Sequence, residues 1–357
     1  MSSLQARGPR QADVAREAGV SQSTVSMVLG GAAERQRISP ETRRRVLEAA
    51  RRLRYSPAAA PRAAAGAPRP TRGLLLGVHT FEPVFPTSTG DYYFEFMRGI
   101  EEQAVAEACN LVLFTATQTE DGIRRIYDAE GTNALRHALG SVLLGHHAGH
   151  EELARLAREG YPYVFIGRRE VPDADVAYVG GDYRAATARI VDQLVALGHR
   201  RIAYLGEEKR DEPQNDRWEG FKAALTRFGL DVPEPAFTAP DALTTQWLDA
   251  ALAGGATALL VESVNLVRVL AVMTGVRGLS IPRDLSVVLL VDDPGGPAAS
   301  HPWACLRVPR NAMGRRAVRL LVQLLGDPSG DHDRQILLPC EHTLTGTVAP
   351  PPTGSTP

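Results

Sequence analysis

The sequence predicts a small all-α domain at the N-terminus, a linker, and a larger α/β region of two parallel-sheet units. Three observations predict it. Asp13–Gly31, DVAREAGVSQSTVSMVLGG, reads as two short helices around a tight turn. Ser56–Arg72, SPAAAPRAAAGAPRPTR, has the composition of a linker, interrupted by Pro57, Pro61, Pro68 and Pro70. From residue 73 onward, short apolar runs alternate with amphipathic stretches, the pattern of parallel sheets covered by helices on both faces.

The first helix covers Asp13–Ala18, with Val14, Ala15 and Ala18 apolar. Gly19 tolerates the positive φ of a helix end. Ser21 can cap the second helix, whose Val25, Val28 and Leu29 share one face. Gln22, Ser23, Ser26 and Met27 then point outward. Polar side chains near a helix N-terminus suit the major groove of DNA, where base edges are read by hydrogen bonds. A third helix starts with Ser39 as cap, Pro40 in the first turn and Glu41 on the N-terminal dipole. Its apolar face is Val46, Ala49, Ala50 and Leu53. Its opposite face is Arg43, Arg44, Arg45, Arg51, Arg52 and Arg54.

Charge supports a DNA partner. Residues 1–72 hold 14 Arg and 5 acidic residues, a net of +9, while the rest of the chain nets −10. The overall −1 therefore conceals two oppositely charged parts. A compact basic segment is the footprint of phosphate binding. Lys209 and Lys222 are the only lysines, so arginine richness alone could reflect composition. Its coincidence with the two-helix pattern favours DNA.

The 357 residues suffice for two or three domains, and 44% hydrophobic with 23% charged residues is globular composition. Cys109, Cys305 and Cys340 are scattered and lack metal spacing, as expected of buried thiols in a reducing cytoplasm. No signal-peptide core and no run of membrane-spanning length is present, so a cytoplasmic protein without membrane association is expected. Apolar runs at Leu74–Val78, Leu111–Phe114, Ser141–Leu144, Tyr163–Ile166, Ile202–Leu205, Ala258–Val261 and Ser286–Val291 read as strands. Phe94–Ala108, Glu151–Glu159, Ala185–Leu197, Arg217–Phe228 and Ala312–Leu325 read as helices between them. A cleft between two such units, at the carboxyl ends of the strands, is the natural ligand site.

In this order of motifs the chain resembles the lac repressor family of bacterial transcription regulators. DVAREAGVSQSTVSMVLGG resembles the family's helix-turn-helix, and ISPETRRRVLEAARRLRYSP its third helix and hinge entry. RGIEEQA (98–104), LGHRRIAYLG (197–206), RWEGFKAAL (217–225), IPRDLSVVLLVDD (281–293) and NAMGRRAVRLLVQLL (311–325) follow. The resemblance implies a helix-turn-helix DNA-binding domain at 10–56, a hinge at 57–72, an effector-binding and dimerisation domain at 73–349, and a tail at 350–357. The effector domain would resemble periplasmic sugar-binding proteins, with one subdomain at about 73–197 and 308–337 and another at about 199–306 and 338–349.

The resemblance further implies a homodimer reading a near-palindromic operator. Gln22 and Ser23 take base-reading positions, and Ser21, Thr24, Ser26, Arg37, Ser39, Thr42 and Tyr55 take phosphate positions, with Ser21 and Ser39 open to a plain capping role. Met27 stands where the family usually reads guanine with Arg, a contact Met cannot make. Ala64 replaces the leucine wedge of the hinge helix, and Pro61 falls inside that helix, so less DNA bending is expected. The effector, a sugar or derivative, would meet Tyr92, Tyr93, Asp182, Arg217, Glu262 and Asp292. Here too the chain departs: Glu262-Ser263 replaces the usual Asn-Asp, Val308 replaces Gln, and the loop Glu82–Asp91 is long. An anion would be repelled unless Glu262 points away.

These readings make the chain a transcriptional repressor controlled by a small molecule, or alternatively a DNA-binding regulator whose cleft has lost its effector. An enzyme is not expected, because no phosphate-cradling glycine loop, metal-spaced cluster or G-x-S-x-G elbow occurs, and no cofactor is implied. The close histidines His146, His147 and His150 read as a solvated loop rather than a metal site. The proline-rich C-terminal end lacks leucine heptads, which favours a dimer over a tetramer.

Overall fold

The computed structural model describes residues 11–29, 38–53, 73–83, 92–116, 118, 122–146, 149–292 and 303–352. The chain divides into two compact units near residue 69. Arg37, Tyr55, the hinge with Pro61 and Ala64, most of the Glu82–Asp91 loop, His147 and the turn after Asp292 lie outside the described residues, as do the side chains of Ser26, Met27 and Leu29.

The N-terminal unit holds α1 (Gln11–Ala18), α2 (Gln22–Leu29) and α3 (Pro40–Arg52). Its core is small: Val14, Ala15, Ala18, Val25, Val28, Val46, Ala49 and Ala50, flanked by Val20, Ile38 and Leu53. These are the apolar faces that the helical spacing predicts. Gly19 takes φ +64° between α1 and α2, and the Val20 amide donates back to the Ala15 carbonyl at 3.0 Å. A side chain at that φ would be strained.

The second unit contains two six-stranded sheets. The first is ordered β11 (Gln335–Pro339), β5 (Tyr178–Asp182), β4 (Tyr163–Ile166), β3 (Ser141–Leu144), β1 (Leu75–Thr80), β2 (Asn110–Phe114), and every pairing is parallel. The second is β12 (Glu341–Thr343), β10 (Ala304–Arg307), β9 (Ser286–Leu289), β8 (Ala258–Val261), β6 (Ile202–Glu207), β7 (Ala236–Thr238), with β12 alone antiparallel. β3, β4, β8 and β9 are buried throughout, as strands covered on both faces must be. No helix among the described residues is long and apolar enough to cross a membrane.

Helix α4 (Phe94–Ala106) packs on α10 (Arg310–Gly326), which lies over β3, β4 and β5. Helix α6 (Tyr183–Ala196) instead packs on α7 (Glu212–Arg227), with Ile190, Val191 and Leu194 sharing a core with Phe221, Ala224 and Leu225. The strand β5 ends at Asp182, directly before α6. The apolar stripe of α6 is complementary to α7, which follows the first strand of the second sheet. The later crossings place α10 and β11 with the first sheet and β12 with the second. α5 (His150–Arg158), α8 (Thr245–Ala253) and α9 (Val264–Val276) complete the layers.

Candidate functional site

The N-terminus of α2 is built around Ser21. Its Oγ accepts from the Thr24 amide at 3.1 Å and lies 2.7 and 2.8 Å from the hydroxyls of Ser23 and Thr24. Ser39 repeats the pattern on α3, accepting from the Thr42 amide at 3.2 Å and meeting its hydroxyl at 2.9 Å. Both serines are thus helix caps, which orient the first turn of each helix. Gln22 and Ser23 are exposed on the first turn of α2, while Thr24 and Thr42 are half-buried. Arg45, read from sequence as part of an outward arginine face, donates to the Ala18 carbonyl at 2.5 Å and ties α3 to the end of α1. Arg52 pairs with Glu17 at 3.3 Å.

In the second unit the candidate groups sit at the carboxyl ends of strands, where parallel sheets present ligand sites. Arg168 and Arg169 follow β4. Asp182 ends β5, Glu207 ends β6, Glu262 follows β8 and Asp292 follows β9. Helix α7 begins between the two sets, carrying Glu212, Asp216 and Arg217.

Glu262 is 1% exposed. Its Oε1 accepts from the Tyr204 hydroxyl at 2.5 Å, and its Oε2 accepts from the Glu207 amide at 2.8 Å and from Arg210. Burial and the Glu262 charge both push the Tyr204 phenol well above its ordinary range, so it stays a donor. Gly206 makes room for this arrangement, since a Cβ there would come within 2.7 Å of Oε2. Glu262, expected from sequence to meet the effector, thus has both carboxylate oxygens bonded within the second half of the site.

Asp292 pairs with Arg310 at 2.7 Å and accepts from the Val308 amide at 3.3 Å. Asp182 caps α6 by accepting from the Ala185 amide at 3.0 Å. Tyr93 donates to Glu82 at 2.6 Å. Tyr92 is 40% exposed, stands edge-on to Tyr93 and carries the Arg310 guanidinium over its ring at 4.6 Å.

Arg217 differs from all of these. It is 5% exposed, its guanidinium lies 4.3 Å over the Tyr183 ring, and among the described residues it makes no hydrogen bond or ion pair. Burial opposes its charge, but Tyr183, Glu262, Tyr204 and Tyr92 favour it and hold its pKa above the ordinary value.

Two ion pairs join the halves of the site. Arg168 holds Asp216 through two hydrogen bonds, at 2.8 and 2.9 Å, and Arg169 holds Glu212 at 2.7 Å. Burial alone would raise the Glu212 pKa, but Arg169 and the Glu170 amide lower it below the ordinary 4.5. A small cavity of about 40 Å³ is bordered by Tyr92, His146, Arg169, Tyr183, Pro213 and Met313. A larger cavity of about 360 Å³ lies at the opposite, starting end of β4, beside Tyr161, Tyr163, Asp175 and Arg334. No group of three metal-binding side chains occurs among the described residues.

Segments of the chain match known protein families in order. Residues 12–58 match the bacterial regulatory proteins of the lacI family. Residues 79–253 match the periplasmic binding proteins and sugar binding domain of the LacI family, and 191–347 match a periplasmic binding protein-like domain. The chain belongs to the lacI family. Among lacI-family relatives, it is 28% identical to the HTH-type transcriptional regulator reg1 of Streptomyces lividans, over 96% of this chain and 97% of the relative. It is 29% identical to catabolite control protein A of Priestia megaterium, over 77% and 80%. The solved structure of the regulator CelR in complex with cellobiose shares the fold, with TM-score 0.61, 24% identity, and coverage of 96% of this chain and 100% of that one.

Sequence reasoning missed Arg168, Arg169, Arg210, Glu212 and Asp216 in this lacI-family chain. The run GRRE after β4 and the acidic run before Arg217 were the available signals. Nothing in the spacing shows that these opposite charges meet across 43 and 48 residues of chain.

Proposed function

We propose that this lacI-family DNA-binding regulator is a repressor that acts as a homodimer on a near-palindromic operator and responds to a small sugar-like molecule in the cleft of the 73–349 domain. Gln22 and Ser23 read bases, with Met27 beside them. Ser21, Thr24, Ser26, Arg37, Ser39, Thr42 and Tyr55 position phosphates. The observation that carries the ligand control is Arg217: a buried guanidinium stacked on the Tyr183 ring, with no hydrogen bond to its Nε among the described residues. Burying an unpaired charge is costly, and such a group is retained where something else pairs with it. The cellobiose bound to CelR supports a carbohydrate-like ligand. Closing or opening the cleft would change the angle between subdomains and so the spacing of the hinges on DNA.

The second reading, a regulator with no small-molecule effector, is favoured by the ion pairs Arg168–Asp216 and Arg169–Glu212, which join the two halves of the site. A thermal-shift series with sugars and nucleosides, followed by gel-shift titration on the operator with and without each hit, separates the two. A ligand that moves both melting and operator affinity supports the first reading. Unmoved melting throughout supports the second.

A further inference from the structure

We infer that residues 122–138 form a strap over the first sheet that opens as a unit, and that acid opens it by protonating His79 beneath it. Two things carry this: how the strap is held, and what it covers.

The connection from β2 to β3 joins parallel strands, a task usually done by a helix. Here residues 122–138 hold one 3-10 turn, Ala134–His137, and are otherwise irregular. A long connection without regular structure inside a compact domain is uncommon and usually functional. The strap is pinned near both ends of β1. The Arg124 amide donates to the Phe81 carbonyl at 2.9 Å, and just past the strap the Leu139 amide donates to the Leu75 carbonyl at 3.0 Å. Between these points the Ala134 amide donates to the Ile126 carbonyl at 2.9 Å and closes a compact loop. The large apolar side chains that the strap buries fully are Ile126 and Leu135. Its anchors on α5 are polar. Glu152 accepts from the Ile126 and Tyr127 amides, Arg155 donates to the Gly131 carbonyl, and Glu159 accepts from the Tyr127 hydroxyl. Few buried apolar contacts and partly exposed polar bonds mark a segment that opens locally before the core does.

His79 is fully buried on β1, and neither ring nitrogen has a hydrogen-bond partner among the described residues. Phe81, which packs with Ile126 and Leu135 of the strap, stands edge-on to it at 4.8 Å. Phe114 and Leu143 are its register neighbours on β2 and β3. Two charged groups act on it: Arg124 of the strap disfavours its protonation, and Glu82, past the end of β1, favours it. Glu152 of α5 faces the strap amides. A buried imidazolium without a partner is costly, and water admitted by an open strap removes that cost. β2 and β3 are hydrogen-bonded to β1 on either side, so the strap is the cover that can lift. It also borders the cleft. Phe81, which receives the Arg124 amide, is followed by Glu82, whose carboxylate holds the Tyr93 hydroxyl and the His146 amide.

The test is hydrogen exchange of the full-length protein, read by mass spectrometry at pH 7.5 and 5.5 and corrected for the chemical exchange rate. Peptides covering 122–138 are expected to exchange together, and faster than those covering β3 and β4. Their opening equilibrium should rise about tenfold at the lower pH, for a group that titrates at 6.5 when open and at about 4 when covered. Glu152→Ala should speed strap exchange at both pH values and leave β3 and β4 as in the parent. His79→Phe should remove the acid-driven rise. If that variant does not fold, His79→Gln, which has no titrating group in this range, takes its place. Strap exchange no faster than that of β3 and β4 overturns the inference. So does an acid-driven rise that is absent in the parent, or one that persists in a folded His79 variant.

Discussion

Arg168 and Asp216 face each other across the two sheets of the second unit, joined by parallel hydrogen bonds of 2.8 and 2.9 Å. Arg168 follows a strand of the first sheet, and Asp216 sits on the helix after the first strand of the second. Both side chains are largely buried. Together with Arg169–Glu212, they join the two halves of the site.

Asp216→Ala should therefore open the cleft. Truncating one partner of a buried, hydrogen-bonded charge pair costs roughly 2–5 kcal/mol, partly because the other charge is stranded. Small-angle scattering is expected to show a larger radius of gyration for the second unit of the variant. An unchanged scattering profile would mean that the pair only decorates a contact held by other forces.

Acid should weaken the second unit through His79. This residue is fully buried on β1, and neither ring nitrogen has a partner. Burial, then Arg124, push its pKa down from 6.5 to about 4. Between those values the unfolded chain binds a proton that the folded chain refuses, so stability is full above pH 6.5 and falls toward pH 4. The loss amounts to about 3 kcal/mol at most, from 1.36 kcal/mol per pKa unit. His79→Phe should flatten that part of a denaturation-against-pH curve, provided the variant folds at pH 7. An equally steep curve in the folded variant would assign the acid sensitivity to other groups.

Gln22→Ala should relax base preference at one operator position and cost roughly 1–3 kcal/mol of specific affinity. Ser21→Ala acts differently, because Ser21 caps α2. It should cost about 0.5–2 kcal/mol of domain stability and lower binding on all sequences alike. Fluorescence anisotropy on matched and mismatched duplexes distinguishes the two outcomes. A sequence-blind loss for Gln22→Ala would remove its base-reading role.

Helix α9 carries Val272 at 67% and Val276 at 74% exposure, one turn apart. This exposed apolar pair is what a subunit contact would cover. Val272→Asp should shift the protein toward monomer in sedimentation velocity. A monomeric parent protein would contradict the proposed dimer.

Much of this architecture was legible in the sequence. The spacing of Val14, Val25, Val28 and Val46 marked the three small helices, and the runs at 141–144, 163–166 and 258–261 matched strands residue for residue. The strand Tyr178–Asp182 was missed because YVGGD has two glycines and no long apolar run, and its burial comes from its neighbours on both sides. Glu262 was legible as a cleft candidate, but not its partners within the chain. Its position at a strand end was readable, but its orientation depends on Tyr204 and Arg210, over 50 residues away, and on the missing side chain at Gly206. Arg45 shows the same limit on a small scale, since helical spacing puts it outward while its long side chain reaches back to α1.

The central claim, a sequence-specific DNA reader carried by α2, is tested most directly by in vitro selection. The full-length protein would be used to enrich sites from random duplex DNA, and the selected site titrated across a salt series. The account predicts a near-palindromic site with two half-sites about one helical turn or a multiple apart, and an affinity that falls steeply with salt. Enrichment of no sequence, or affinity indifferent to salt, would contradict it.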